Sequence, residues 1–97
     1  MNEYSEATSA LKMTIQKKKP MDVCLRGRPP IVHEICYGTL RHYFFYSNIL
    51  GKLLNKPLKK KHFDLQLLLK AALYSLDHLN RPVYSSVNNC VTAAKYL

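Results

Sequence analysis

Phe63-Asp64-Leu65-Gln66-Leu67-Leu68-Leu69-Lys70-Ala71-Ala72-Leu73-Tyr74-Ser75-Leu76 is the stretch that decides the fold. Leu and Ala dominate it, and both favour helix over strand. The spacing predicts a helix over residues 65–79 that is apolar nearly all round, interrupted by Gln66, Lys70 and Asp77. Such a helix needs neighbours on every side and belongs at the centre of a bundle. Asp64 is expected to cap its free amides, with Phe63 stapled against Leu68.

Working outward, the rest of the chain supplies the neighbours. Ser5 or Thr8 could cap a first helix running to about Gln16, with Ala7, Ala10, Leu11 and Ile15 on one stripe. Pro20 stops it and disfavours helical geometry in Lys19. Residues 20–30, with Arg26-Gly27-Arg28-Pro29-Pro30, read as a loop. Pro29 and Pro30 then open a helix. From Ile31, Val32, Cys36, Leu40, Tyr43, Leu50 and Leu54 recur at helical spacing, as one long helix or two with a bend near Ser47, stopped by Pro57. Lys59-Lys60-Lys61 is a charged turn. Beyond Pro82, Val87, Val91 and Ala94 mark the inward stripe of a last helix. The expected fold is all-α, a single bundle-like domain over residues 1–97 with about five helices.

The 97 residues are 47% apolar and 22% charged, a globular composition. Fifteen Lys and Arg against six Asp and Glu give a net charge of +9, which suits a polyanionic partner such as RNA. Eleven of the basic residues fall in two stretches. Lys12, Lys17, Lys18, Lys19, Arg26 and Arg28 form the first; Lys52, Lys56, Lys59, Lys60 and Lys61 form the second. Brought together by the fold they make one electropositive face for phosphates; left apart they are two solvated turns. The RNA-binding candidates are Lys17, Lys18, Lys19, Arg26, Arg28, Lys56, Lys59, Lys60 and Lys61. Tyr43-Phe44-Phe45-Tyr46 cannot all face one core, so one or two belong to a helix interface or to the surface.

Other chemistry finds little footing. Met1-Asn2-Glu3-Tyr4 is not the start of a signal peptide, and the apolar runs are too short and too often broken by Lys to span a membrane. Cys24, Cys36 and Cys90 are odd in number and imply no disulfide framework, so a cytoplasmic protein is expected. His33 and Cys36 lie one helical turn apart, with Cys24 near in sequence, but no fourth metal ligand offers itself. Gly27, Gly38 and Gly51 form no phosphate loop, and no nucleophile–base signature is present. No catalytic, cofactor-binding or metal residue is assigned.

Three blocks in order carry a resemblance. Glu34-Ile35-Cys36-Tyr37-Gly38-Thr39-Leu40-Arg41 resembles the E-L-C-Y-G-V-L-R helix of the NusB-like domain in RsmB/Sun-type ribosomal RNA cytosine methyltransferases. Lys56-Pro57-Leu58 followed by Ala72-Leu73-Tyr74-Ser75-Leu76 is similar to that family's central G-L-Y-Q-L helix. Arg81-Pro82-Val83-Tyr84-Ser85-Ser86-Val87-Asn88-Asn89-Cys90-Val91, with Ala94-Lys95, resembles P-x-H-A-A-V-N-E-A-V…A-K. The match covers residues 29–97, after a basic N-terminal helix and loop over 1–28. It departs at Asn89, where the family has Glu, and in a first helix that carries only Lys12.

The resemblance implies a NusB-like helical bundle of about five helices that lacks the family's final helix. It implies a non-catalytic, RNA-binding domain of a bacterial enzyme methylating carbon five of cytosine in ribosomal RNA, as a fragment or a truncated homologue. S-adenosylmethionine would enter only with a following methyltransferase domain, and Cys24, Cys36 and Cys90 do not match that domain's catalytic motifs. The other readings are a free-standing NusB-type transcription antitermination factor and a helical protein-interaction module. The missing final helix further implies an apolar groove beside the central helix, covered in a homodimer or by a C-terminal domain. Gly38, costly in mid-helix, implies close approach of another helix.

Overall fold

The computed structural model describes residues 2–54, 56, 58–80 and 83–95, with the backbone alone for 83–85. The described residues form α1 (Glu3–Gln16), α2 (Met21–Cys24), α3 (Pro30–Arg41), α4 (Tyr43–Leu53), a 3-10 turn (Lys60–His62), α5 (Phe63–His78) and α6 (Val83–Ala94). The all-α expectation holds. Pro57 and Pro82, expected to mark breaks between helices, lie outside the described residues.

Asn2 caps α1, not Ser5 or Thr8: its side chain accepts from the amides of Tyr4 and Ser5. Glu3 and Glu6 in the first turn suit the positive end of the helix dipole. Tyr4, Ala7, Thr8, Ala10 and Leu11 form its buried stripe. The helix ends as the Lys17 amide bonds the Met13 carbonyl and Lys18 turns left-handed at φ 55.

Residues 20–30 are not all loop. Met21, Cys24 and Leu25 are spaced for one helical turn, and all three are buried. The Thr14 hydroxyl donates to Cys24 Sγ at 3.4 Å, fastening α2 to α1. Four residues are too few to show a period, which is why the sequence hides this helix.

Pro29 and Pro30 do open α3. The bend falls at His42, not Ser47. His42 has ψ 21, yet its amide still bonds the Gly38 carbonyl and its own carbonyl accepts from Tyr46. The apolar spacing runs unbroken across this point, so it could not locate the bend. His42 instead stacks on His78 of α5, ring centroids 4.8 Å apart.

α5 is central, packing on α1, α3, α4 and α6. Leu67, Leu68, Ala71 and Tyr74 are buried along it. A Cβ on Gly38 would collide with the Tyr74 ring, so Gly38 provides the close approach of α3 and α5. The Tyr74 hydroxyl donates to Glu34 Oε1 at 3.3 Å. Asp64 does not cap α5; it sits inside the first turn, and His62 precedes the helix with no side-chain cap bond.

α6 reverses an expectation. Val87 and Val91 face outward, 47% and 52% exposed. Ser86, Cys90 and Ala93 have the same i, i+4, i+7 spacing one position away, and these turn inward, with Ala94 half-buried beside them. Spacing identifies residues sharing a face but not which face meets the core. The smaller side chains let α6 lie close to α1 and α5, at the cost of leaving two valines in water.

Candidate nucleic-acid interface

One ion pair organises the basic residues. Lys12 Nζ lies 3.0 Å from Asp64 Oδ1, joining the later part of α1 to the first turn of α5. Lys17, Lys18 and Lys19 follow the end of α1, whose last residue, Gln16, lies roughly 6 Å beyond Lys12 along the axis at about 1.5 Å per residue. Lys60 and Lys61 lie in the 3-10 turn that runs directly into α5. One lysine run thus follows the C-terminus of α1 and the other precedes the N-terminus of α5, the two helices that the Lys12–Asp64 pair joins.

Lys17, Lys18, Lys19, Arg26, Lys56, Lys59, Lys60 and Lys61 are all exposed. Arg28 is not free in the same way. Its Nε donates to the Cys24 carbonyl at 3.0 Å, and a terminal guanidinium nitrogen lies 3.6 Å from Glu6 Oε1. It ties the loop before α3 back to α1. Sequence proximity to Arg26 could not reveal this, because Glu6 is brought to Arg28 only by the fold.

The aromatic run divides. Tyr46 is buried, Tyr43 is half-buried, and Phe44 and Phe45 are 81% and 56% exposed. Lys70 is the residue that sequence reading passed over. It is buried on α5, with Nζ 3.5 Å from the Tyr43 ring centroid. Burial lowers its pKa from the ordinary 10.5. Beside it a cavity of about 410 Å³ is lined by Ser47, Leu50, Gly51, Leu54, Leu58, Gln66 and Lys70.

Two of the thiols are held protonated. Burial pushes Cys36 up to about 12 and Cys90 up to about 11, so both stay protonated at neutral pH. The Cys36 thiol donates to the Ala7 carbonyl, a structural role. Among the described residues no three His, Cys, Asp or Glu side chains are grouped to hold a metal ion, and no helix is long and apolar enough to cross a membrane. What the arrangement can do is attract and hold a polyanion.

The NusB family model matches residues 3–97. Over its whole length the chain is 35% identical to a probable ribosomal RNA small subunit methyltransferase B of Coxiella burnetii, covering 23% of that protein. Over 93% of its length it is 36% identical to the ribosomal RNA small subunit methyltransferase B of Vibrio vulnificus, covering 20% of it. The corresponding protein of Vibrio cholerae is 32% identical over 93% of the chain and 19% of its own length. The chain thus spans about a fifth of the length of these curated relatives. No solved structure matches it.

Proposed function

This chain belongs to the NusB family, and on that premise we propose that it is the RNA-holding, non-catalytic domain of a ribosomal RNA (cytosine, carbon five) methyltransferase of the RsmB type. The observation that supports this reading is a pair of exposed lysine runs, one after the C-terminus of α1 and one before the N-terminus of α5, on two helices joined by the Lys12–Asp64 ion pair. Lysine ammonium groups at helix ends reach phosphates without reading sequence. The relatives' names supply the substrate class, small-subunit ribosomal RNA.

S-adenosylmethionine does not fit the residues described here. Its sulfonium would face the Lys70 ammonium in the cavity beside α5, and no carboxylate lines that cavity to hold a ribose. The methyl donor belongs to another part of a longer enzyme, and calorimetry of this chain with it should show no heat of binding. The outward Val87 and Val91 support an apolar contact with that other part or with a second copy. Light scattering across a dilution series separates the two, since only self-association responds to dilution.

Binding to single-stranded RNA should weaken steeply with salt. With about five phosphates neutralised, the logarithmic slope is roughly −3.5. Replacing Lys59, Lys60 and Lys61 together by Ala should make the slope shallower by about 2 and weaken all sequences alike. A salt-independent affinity, or none for ribosomal RNA fragments, would turn the reading toward a protein-interaction module.

A further inference from the structure

Lys70 is 3% exposed, yet no ion pair among the described residues involves it. Its only described partner is the face of Tyr43. An ammonium carries three donors and no acceptor, so the ring leaves donors unused. An unpaired buried charge is costly unless something completes it. The cavity beside it lies in the volume range of small-molecule sites, which run from about 300 to 1,000 Å³.

The cavity's chemistry narrows the occupant. Leu50, Leu54 and Leu58 give apolar walls, and Gly51 presents no side chain; a Cβ there would meet nothing within 4 Å. Polar groups are few. The Gln66 amide nitrogen donates to the Leu58 carbonyl at 3.3 Å, leaving its own carbonyl oxygen to accept. The Ser47 hydroxyl already donates to the Tyr43 carbonyl. A phosphate would find one cation and leucine walls, a poor exchange for its hydration. A flat ring with a polar edge matches better.

Leu54 and Leu58 also place the cavity on the connection that carries Lys56 and Lys59, both exposed. A strand whose phosphates rest on those lysines has a base within reach of the opening. Resting on the RNA reading above, we propose that the Lys70 cavity takes one unstacked RNA base and selects keto bases, guanine or uracil, over amino bases. The ammonium donates to guanine O6 or uracil O4. The neighbouring ring N–H of either base donates to the Gln66 carbonyl oxygen. Adenine and cytosine turn an amino group toward the ammonium at the same point, setting donor against donor. An unpaired base in single-stranded RNA costs least to unstack.

The test uses the purified chain with short single-stranded RNAs, oligoadenylate carrying one central G, U, C, A or abasic residue. Guanosine, uridine, adenosine and cytidine 5′-monophosphates and inorganic phosphate are titrated separately by calorimetry. G and U strands should bind about tenfold tighter than the others, and the two keto nucleotides alone should bind detectably. Lys70→Met should erase that preference and leave the salt slope unchanged. Gly51→Leu, which adds bulk to the cavity wall and keeps Lys70 in place, should do the same. Normal salt-dependent RNA binding with no base preference overturns the inference and spares the RNA reading. Lys70-dependent binding of keto nucleotides by a chain that ignores RNA spares the cavity and sinks the RNA reading. Binding of inorganic phosphate lost in Lys70→Met shows a plain anion site and overturns the inference. No binding of any nucleotide or strand removes both.

Discussion

Tyr74 and Lys70 stand one turn apart on α5, both buried and both tipped with a polar group, yet their surroundings are opposite. Around Tyr74 there is no room for one methyl: the ring lies against bare Gly38, and its hydroxyl reaches Glu34. Around Lys70 there is space to spare, and its ammonium lies over a ring with no carboxylate among the described residues paired to it. The first arrangement is what packing alone selects. The second spends stability, and such departures collect where a molecule binds something.

Substitutions can break or sharpen this contrast. Gly38→Ala should have the largest effect, because the added carbon meets the middle of a rigid ring and not a flexible tip. A loss of about 2 kcal/mol is expected, or roughly 10 °C in melting temperature for a domain this size. Thermal denaturation followed by circular dichroism measures it. A change near zero would mean that α3 and α5 are not in close contact.

Lys70→Met should act in the opposite direction, raising stability by about 1 kcal/mol at neutral pH by removing an unpaired buried charge. Its pH dependence is the sharper check. The folded-state pKa of Lys70 lies below 10.5, so between the two values the unfolded chain binds more protons and stability rises with pH. Burial also raises Tyr43, Tyr46 and Tyr74, with Tyr46 at about 12. Cys36 and Cys90, also raised by burial from the ordinary 9.0, act in the same sense, so from about pH 9 the unfolded thiols and then the unfolded tyrosines ionise first and oppose the Lys70 contribution. Urea melts from pH 7 to pH 10 should show the parent chain gaining stability relative to Lys70→Met as pH rises, the losses from thiols and tyrosines being common to both chains. Parallel curves would place Lys70 in water.

Gly51→Ala should give the smallest change, a gain of about 0.5 kcal/mol. The new methyl enters open space near the end of α4, and the helix loses a flexible residue. A loss instead of a gain would show the cavity to be closed.

The dense side of this contrast was largely legible in the sequence. Period and length announced the central helix, the prolines announced α3, and Gly38 in mid-helix announced the close approach. What escaped has a common cause. α2 is too short for a period, the bend at His42 leaves the apolar spacing intact, and α6 offered two stripes of identical spacing. The lysine runs were legible as exposed charge. Arg28 paired with Glu6, and Lys70 beside a void, depend on distances across the fold that no local pattern contains.

Asn2 has a consequence for how the molecule is made. Its side-chain oxygen accepts from the opening amides of α1, while its Nδ2 donates to the Asn89 carbonyl of α6 at 2.7 Å. α1 also rests on α3 and α5. Within this domain α1 meets α3 and α5 before α6, and its capping residue finds its α6 partner last. At a synthesis rate of about 5–20 residues per second, α1 must wait several seconds for α6 to appear. During that wait Tyr4, Ala7 and Leu11, all fully buried in the finished fold, have only the nascent chain or a chaperone for cover. Completion of the α1 packing is thus tied to the synthesis of α6, and contacts of such high sequence separation slow the search for the native state.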